Sequence, residues 1–247
     1  GLYAGDTIVL DGDYAYNPEF DSALIAGIVI DKAITINGNG YTIDGSNQGT
    51  SFSLNNMKNV NFYNCTFKNG VNFNIRSDNF LISDCDFENI TNMRLSRAQS
   101  CQIINSNFDN HKNESYYGSC DIHDNVEVII KNCNFTNIIA NGANGAAISL
   151  NNNNVESIIN CNFINNTDSS RGGAIYGRNL KNLYLVNCSF TNNSANAGGA
   201  LHLGTAINGK IYIDGCQFIN NTADVFAGAL YFTRNGTVID SNFTRNN

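Results

Sequence analysis

The chain has 247 residues, with 14 basic and 21 acidic side chains, and a formal net charge of −7. General affinity for nucleic acid or for anionic membranes is disfavoured, because both need clustered cations. Apolar residues make up 42% of the chain, yet no apolar run approaches the roughly 18 residues of a membrane span. We therefore expect neither a nucleic-acid partner nor a membrane span in this chain.

The first 50 residues contain short apolar runs separated by Gly and Asn. Thr7 to Leu10 and Ile28 to Gly45 have the pattern of strands and tight turns. Between them, the segment from Tyr14 to Ser22 has the composition of an inserted loop. We expect residues 1–50 to form the first coils and to cap the core at its N-terminal end.

Residues 51–247 repeat one pattern, a short apolar run followed by Asn or Asp and then by Cys-x-Phe or Ser-x-Phe. The marker Cys or Ser lies at positions 65, 85, 106, 133, 161, 188, 216 and 241, so the spacings are 20, 21, 27, 28, 27, 28 and 25 residues. A repeat of this size predicts a solenoid. Because the repeat is incomplete at Asn247, we expect the natural polypeptide to continue.

In the last four copies a second signature precedes the first, as in Gly172-Gly-Ala-Ile-Tyr176 and Gly198-Gly-Ala-Leu-His202. Each copy then holds about three strands of three to six residues, with period-two alternation. The sequence therefore predicts one all-β domain over residues 1–247, a right-handed, single-stranded parallel β-helix with about 20–28 residues per coil.

Stacked coils place equivalent residues above one another, at the strand spacing of about 4.8 Å. We expect an internal aromatic column and, beside it, a column of thiols and two serines. These columns comprise Phe67, Phe87, Phe108, Phe135, Phe163, Phe190, Phe218 and Phe243, and Cys65, Cys85, Cys133, Cys161, Cys188 and Cys216.

The thiols of that column are expected to be reduced, small buried hydrophobes, because stacked parallel side chains give poor disulfide torsions. Pairing of Cys101 with Cys120, which lie outside the column, stays open. A column also spreads thiols along the axis rather than around one zinc ion. We expect no cofactor and no metal; the acidic clusters Asp11/Asp13, Asp84/Asp86/Glu88 and Asp121/Asp124 could hold Ca²⁺, but solvated turn carboxylates are the favoured interpretation.

The turns are rich in Asn-x-Ser/Thr sequons. A structural role, with amide side chains bonded in a ladder along the coils, is at least as well supported as glycosylation. The sequons are at Asn64, Asn89, Asn113, Asn134, Asn165, Asn187, Asn192, Asn220, Asn235 and Asn242.

The combination of Cys188-Ser-Phe-Thr-Asn-Asn-Ser-Ala195 with Gly172-Gly-Ala-Ile-Tyr176 resembles the adhesin-like surface proteins of methanogenic archaea. Related repeats occur in bacterial polymorphic outer-membrane proteins and in pectin-lyase-like enzymes. The resemblance implies an exported, non-catalytic cell-surface protein whose β-helix displays a binding surface to host or microbial glycans or proteins. It supplies no catalytic residues.

Two other functions remain open, a polysaccharide lyase or hydrolase and a rigid stalk. Of the polygalacturonase signatures only Asn166-Thr-Asp168 is present, and it occupies a repeated turn. Arg76, Arg94 and Arg97, near coils that hold Asp78, Asp84 and Asp86, leave a lyase-like groove possible. Modest breaks in uniformity at residues 14–22 and 110–118 favour binding over a simple stalk.

Alternation along the strands suggests a binding face. If Ile175, Leu201, Leu203 and Leu230 point inward, the neighbouring aromatic residues of three successive coils point outward, with Ser149 below them. A shorter outward pair lies on a neighbouring strand. Such columns could stack sugar rings or anchor a protein, or could simply stiffen the sheet. The candidate ligand-binding residues are Tyr176, His202 and Tyr231, with the pair Tyr184 and Tyr212.

Overall fold

The computed structural model describes residues 5–22, 28–30, 32–48, 51–113 and 118–247. The described residues form a parallel β-solenoid with about eight turns and no α-helix, which confirms the predicted all-β parallel β-helix. Every strand pairing is parallel, and each strand pairs with its equivalent in the next coil. Residues 1–4, and the middle of the expected insertion at 110–118, lie outside the described residues.

The largest sheet has 15 strands and bends around a corner, so that it covers two sides of the solenoid. Four of its strands run through the corner without a break and have 12 to 14 residues, longer than the predicted three to six. The strands are β1 (Asp6–Val9), β3 (Ile28–Ile30), β4 (Ile34–Asn37), β6 (Ser51–Tyr63), β8 (Asn72–Ser83), β10 (Asn92–Ser96), β11 (Ser100–Ile104), β14 (Cys120–His123), β15 (Glu127–Lys131), β18 (Ile148–Asn151), β19 (Val155–Ile159), β22 (Ile175–Val186), β25 (Leu201–Asp214), β28 (Leu230–Phe232) and β29 (Thr237–Ile239).

We call the two sides of this sheet the front side and the back side. The front side contains β10, β14, β18, the first residues of β22 and β25, and β28. The back side contains β11, β15, β19, the last residues of β22 and β25, and β29.

The second sheet has ten strands and carries the Cys-x-Phe signature. It also contains Tyr14–Ala15, which pairs with Ile43 and Asp44, so the loop expected from Tyr14 to Ser22 begins later than predicted. The strands are β2 (Tyr14–Ala15), β5 (Thr42–Asp44), β7 (Thr66–Lys68), β9 (Asp86–Glu88), β12 (Asn107–Asp109), β16 (Asn134–Thr136), β20 (Asn162–Ile164), β23 (Ser189–Thr191), β26 (Gln217–Ile219) and β30 (Asn242–Thr244).

A third sheet of five short strands closes the larger coils and was not predicted. It begins in the coil where the repeat lengthens from 21 to 27 residues, so the added residues form a further side of the coil. Its strands are β13 (Lys112–Asn113), β17 (Ile139–Ala140), β21 (Thr167–Arg171), β24 (Ser194–Ala197) and β27 (Thr222–Phe226).

The Gly-Gly-Ala signature lies where this third sheet turns into the front side. A Cβ atom on Gly173 would lie 2.2 Å from the Gly199 carbonyl oxygen, and one on Gly199 would lie 2.0 Å from that of Gly228. These distances are too short for any side chain. Glycine therefore allows successive coils to approach closely at this corner.

The phenylalanines of the repeat form one continuous stack inside the solenoid. From Phe67 to Phe243 the ring centroids of successive residues are 4.6 to 5.4 Å apart, with interplanar angles of 3 to 11°. All are fully buried except Phe243, in the last coil, which is 49% exposed. Parallel in-register strands impose this column, because each ring lies directly above its equivalent.

All eight cysteines are free and buried, Cys101 and Cys120 included. The thiols of the column donate to backbone carbonyls, as in Cys161 Sγ to the Ile159 oxygen at 3.2 Å. Where Ser106 replaces Cys, its hydroxyl accepts a hydrogen bond from the Cys85 amide at 3.2 Å. The column is thus a set of small buried groups that satisfy backbone polar atoms.

We predict that the thiols are chemically silent in the folded protein. Burial raises the pKa of Cys101 to about 12 and that of Cys120 well above its usual value, so little reactive thiolate forms. Titration with a thiol reagent should give almost no reaction in native buffer and eight thiols after unfolding, with or without reductant. A smaller number without reductant would reveal a disulfide.

Amide side chains form a second, buried ladder at the turn after the Cys-x-Phe strand. Asn193 donates to the Phe163 oxygen at 3.0 Å and to Asn221 Oδ1 at 2.9 Å, and its own Oδ1 accepts from the Asn166 amide and side chain at 3.1 and 3.0 Å. These asparagines are completely buried. The sequon residues beside them, such as Asn165 and Asn192, are exposed and form an outer ladder with a 3.2 Å bond.

Replacing Asn193 with Ala should destabilise the protein by about 2 to 4 kcal/mol, because several buried partners lose their hydrogen bonds at once. Thermal and urea denaturation measure the change. The matched control is Asn192→Gly, which removes an exposed amide and keeps the left-handed backbone at φ 56°. Equal effects of the two substitutions would contradict a special role for the buried ladder.

Candidate functional site

The residues Tyr176, His202 and Tyr231 are in direct register on the front side, with Ser149 in the coil below. The ring centroids of Tyr176 and His202 are 5.5 Å apart, and those of His202 and Tyr231 are 4.7 Å apart; both pairs are stacked. The side chains are on the outward side of strands whose Ile175, Leu201 and Leu203 are buried in the core.

The middle ring of this stack is not exposed, contrary to expectation. His202 has only 8% of its surface accessible, because the two tyrosines cover both of its faces. Burial, and to a lesser extent the nearby Arg171, lowers the pKa of His202 to about 4. The ring is therefore neutral near pH 7, and its buried Nδ1 has no hydrogen-bond partner among the described residues.

The second candidate pair lies on a different surface. Tyr184 and Tyr212 are in register on the back side, with centroids 6.3 Å apart and rings tilted by 53°. Tyr184 is 40% exposed. The structure thus separates the five predicted aromatic residues into a stacked group on the front side and a looser pair on the back side.

Two adjoining depressions run along the front side, and together we call them the front groove. One, of about 490 Å³, is lined by Tyr176 and His202 of the aromatic stack, and the other, of about 520 Å³, lies toward the N-terminal coils. They share Arg178 and Asn179. The lining residues of the two depressions are Arg94, Asp121, His123, Asn151, Asn152, Arg171, Tyr176, Gly177, Arg178, Asn179, His202, Gly204, Thr205, Thr233 and Arg234.

A charged cluster occupies the N-terminal end of the front groove. Arg94 Nε is 2.9 Å from His123 Nε2 and 3.4 Å from Asp121 Oδ2, and His123 Nδ1 is 3.0 Å from Asp124 Oδ2. With Arg94 donating to Nε2, the His123 proton is on Nδ1 and is donated to Asp124. Burial raises the pKa of Asp121, whereas the hydrogen bond from His123 lowers that of Asp124.

Of the arginines of the front groove, only Arg94 was named from the sequence, as part of a possible lyase-like groove. Arg171, Arg178 and Arg234 were not predicted as site residues. Arg94 contacts Asp121 of the next coil, whereas Asp84 and Asp86 lie at the ten-stranded sheet, where they bond Asn105 and Asn107. The alternation of the strand could have predicted Arg178, because it follows Tyr176 by two residues and is therefore on the same outward face.

The acidic clusters considered for Ca²⁺ take part in protein hydrogen bonds. Asp13 Oδ1 accepts from the Thr42 amide at 2.8 Å, and Asp86 Oδ1 from Asn107 Nδ2 at 2.7 Å. Within the described part of the chain, no group of three or more His, Cys, Asp or Glu residues is placed to hold a metal ion.

Two carboxyl groups are buried in the solenoid away from the front groove. Glu156 occupies an inward position between Val128 and Leu183, and burial raises its pKa to about 7. Asp168, from the Asn-Thr-Asp sequence, faces inward in the third sheet, and burial raises its pKa to about 6. Asn166 of the same sequence belongs to the buried ladder, so both residues pack inside the coil.

We predict that Glu156 makes the protein less stable as pH rises. Its pKa is raised on folding, so its favourable contribution is complete below its usual value of 4.5 and is lost as pH passes through about 7. Glu156→Gln mimics the neutral form. The stability of this variant relative to the parent should be about 3 kcal/mol higher near pH 8 than near pH 4.

Denaturant unfolding at the two pH values measures this difference, and any packing cost of the substitution cancels in it. Glu127→Gln, at an exposed position of β15, is the matched control and should show no such difference. An equal effect of Glu156→Gln at both pH values would show that the Glu156 carboxyl is not held neutral by the core.

Comparisons with known proteins agree with this architecture. Residues 160–178 and 187–204 match the repeat of the Chlamydia polymorphic membrane protein. These segments contain two Cys-x-Phe strands and the front-side residue Tyr176, with His202 in the second. No curated protein and no solved structure matches the chain significantly. The described residues include no helix that is long and apolar enough to span a membrane.

Proposed function

We propose that this chain is the binding region of an adhesin-like cell-surface protein that uses the front groove to hold a glycan or protein of a host or microbial surface. The observation that carries the proposal is the stack of Tyr176, His202 and Tyr231, whose first two rings line an open groove. Aromatic rings provide large apolar contact area together with polar edges, which suits both sugar rings and protein side chains.

The backbone supports this role, because all three rings lie on regular strands. Each ring is fixed by a strand that is in register with its neighbours, and the opposite face of that strand is in the core. A surface that is already ordered loses little conformational entropy on binding. The proposed role is binding without catalysis, and it needs no cofactor.

An extracellular, cell-surface location is part of the proposal. The matching repeat is named for a membrane protein of Chlamydia, and the sequence resembles adhesin-like proteins of methanogenic archaea. A solenoid also suits this location, since it extends a binding surface along one axis from the cell. The experiment below distinguishes this binding role from that of a stalk without a ligand.

The double substitution Tyr176→Ser and Tyr231→Ser should reduce ligand retention by about tenfold or more, because both anchoring rings are lost. The measurement is retention of the fluorescently labelled chain on an array of plant, host and microbial cell-wall glycans and on intact cells. Circular dichroism and the unfolding midpoint verify that the variant still folds.

Tyr184→Ser with Tyr212→Ser is the matched control, since it removes the same groups from the back side. It should leave retention unchanged. Loss of retention in the control alone would move the site to the back side. A parent chain that is retained on no glycan and no cell would favour the stalk.

A second candidate function is a polysaccharide lyase or hydrolase, and the cluster of Arg94, Asp121 and His123 favours it. The cluster combines a buried carboxylate with an arginine and a histidine at one end of an open groove. Release of reducing ends or of unsaturated products from acidic polysaccharides would support the enzyme, provided that Asp121→Asn abolishes it. No release from any polymer would leave binding as the function.

A further inference from the structure

The arginines of this acidic protein are concentrated on the front side. The sequence has seven arginines, of which four line the front groove: Arg94, Arg171, Arg178 and Arg234. A fifth, Arg76, is in register with Arg178 on the same sheet. The register partners in the coils between them are Ser96, His123 and Asn151. Among the described lining residues only Asp121 is acidic.

This distribution opposes the overall charge. The chain has a net charge of −7, yet the front groove has four guanidinium groups against one carboxylate. Asp121 is only 1% exposed and lies 3.4 Å from Arg94, so these two charges compensate each other and three guanidinium groups remain. The surface that a ligand would meet is therefore positive.

The arginines are spread along the solenoid axis rather than gathered at one point. Arg94 is three coils from Arg178, and Arg178 is two coils from Arg234. At about 4.8 Å per coil, these intervals are about 14 and 10 Å, and the whole line spans about 24 Å. A small anion would use one such position, whereas an extended polymer with repeated anionic groups would use all of them.

The aromatic stack lies between these cations. Arg171 and Arg234 line the same depression as Tyr176 and His202, and Tyr231 stacks on His202. The tyrosine rings suit the apolar faces of sugars, and guanidinium groups bind carboxylates or sulfates through two parallel hydrogen bonds. His202 is covered on both faces by the two tyrosines and supports them from between.

We propose that the front groove binds a linear acidic polysaccharide, with the polymer lying along the solenoid axis and its carboxylate or sulfate groups on the arginines. This inference rests on the proposed binding function and specifies its ligand class. Nucleic acid carries its anionic groups more densely than a carboxylated polysaccharide, so the acidic remainder of the molecule would repel it more strongly.

The test measures affinity for polygalacturonate, alginate and hyaluronate, each compared with its own methyl-esterified form, by affinity electrophoresis of the purified chain. Esterification removes the charge and keeps the sugar backbone. At least one acidic polymer should bind about tenfold or more tightly than its ester, and binding should weaken as salt rises.

The double variant Arg178→Ala and Arg234→Ala should lose about tenfold or more in affinity for that polymer. Lys131→Ala with Lys210→Ala is the matched control, because it removes two exposed positive charges outside the front groove. The control should bind like the parent chain. Equal losses in the two variants would overturn the assignment to the front groove.

Other outcomes separate the two proposals. Equal binding of each acidic polymer and its ester would overturn the acidic ligand class and leave the proposed adhesin function intact. Binding of single-stranded DNA as tight as that of the polysaccharides would show a site for polyanions in general and overturn the inference. If no polymer binds while labelled chain is still retained on cells through Tyr176 and Tyr231, the inference fails and the proposed function stands.

Discussion

The buried asparagine ladder fixes the register of the last coils, on which the aromatic stack of the front side depends. Asn166, Asn193 and Asn221 each connect a turn to the next coil and to a carbonyl oxygen of a preceding one, and Asn246 ends the series in the last coil, with bonds of 2.9 to 3.1 Å. A shift by one residue would leave these buried amides unsatisfied and would turn inward-facing phenylalanines outward. The register is thus specified twice, by the hydrogen bonds of the buried amides and by the burial of the phenylalanine rings.

Left-handed backbone conformations at the corners make this arrangement possible. Most of the non-glycine residues with positive φ are asparagines, including Asn165, Asn192 and Asn220, which immediately precede members of the buried ladder. Asparagine tolerates this conformation better than most residues. The unusual Asn content therefore has two structural causes, the turn conformation and the ladder that follows it.

Much of the fold could be predicted because it depends on local periodicity. The Cys-x-Phe repeat places Phe163 and Phe190 at equivalent positions, and the stacking of parallel strands then brings their rings into one column. The third sheet was missed because its strands lack apolar alternation: Ile139–Ala140 has only two residues, and Thr167–Arg171 is entirely polar. The continuous strand Ile175–Val186 was missed because Gly177 and Asn179 have the composition of a turn. Asn179 does adopt a left-handed conformation at φ 55°, but the strand continues through it.

The site was harder to predict than the fold, for a geometric reason. The register of Tyr176, His202 and Tyr231 follows from the repeat, but the burial of His202 depends on which rings cover it. Arg94 and Asp121 are 27 residues apart in sequence and meet only because they occupy adjacent coils. Glu156 replaces an apolar residue at an inward position, and its raised pKa follows from the surrounding core rather than from any local motif.

The alternation of inward and outward residues on the front side has an evolutionary consequence. Outward residues such as Tyr176 and Arg178 touch neither the phenylalanine stack nor the asparagine ladder, since Ile175 and its equivalents supply the inward contacts. Selection can therefore exchange outward residues coil by coil while the inward residues that determine the fold stay constant. A lineage that carries this architecture can change its outward surface by point substitution, and can lengthen that surface by duplicating a coil.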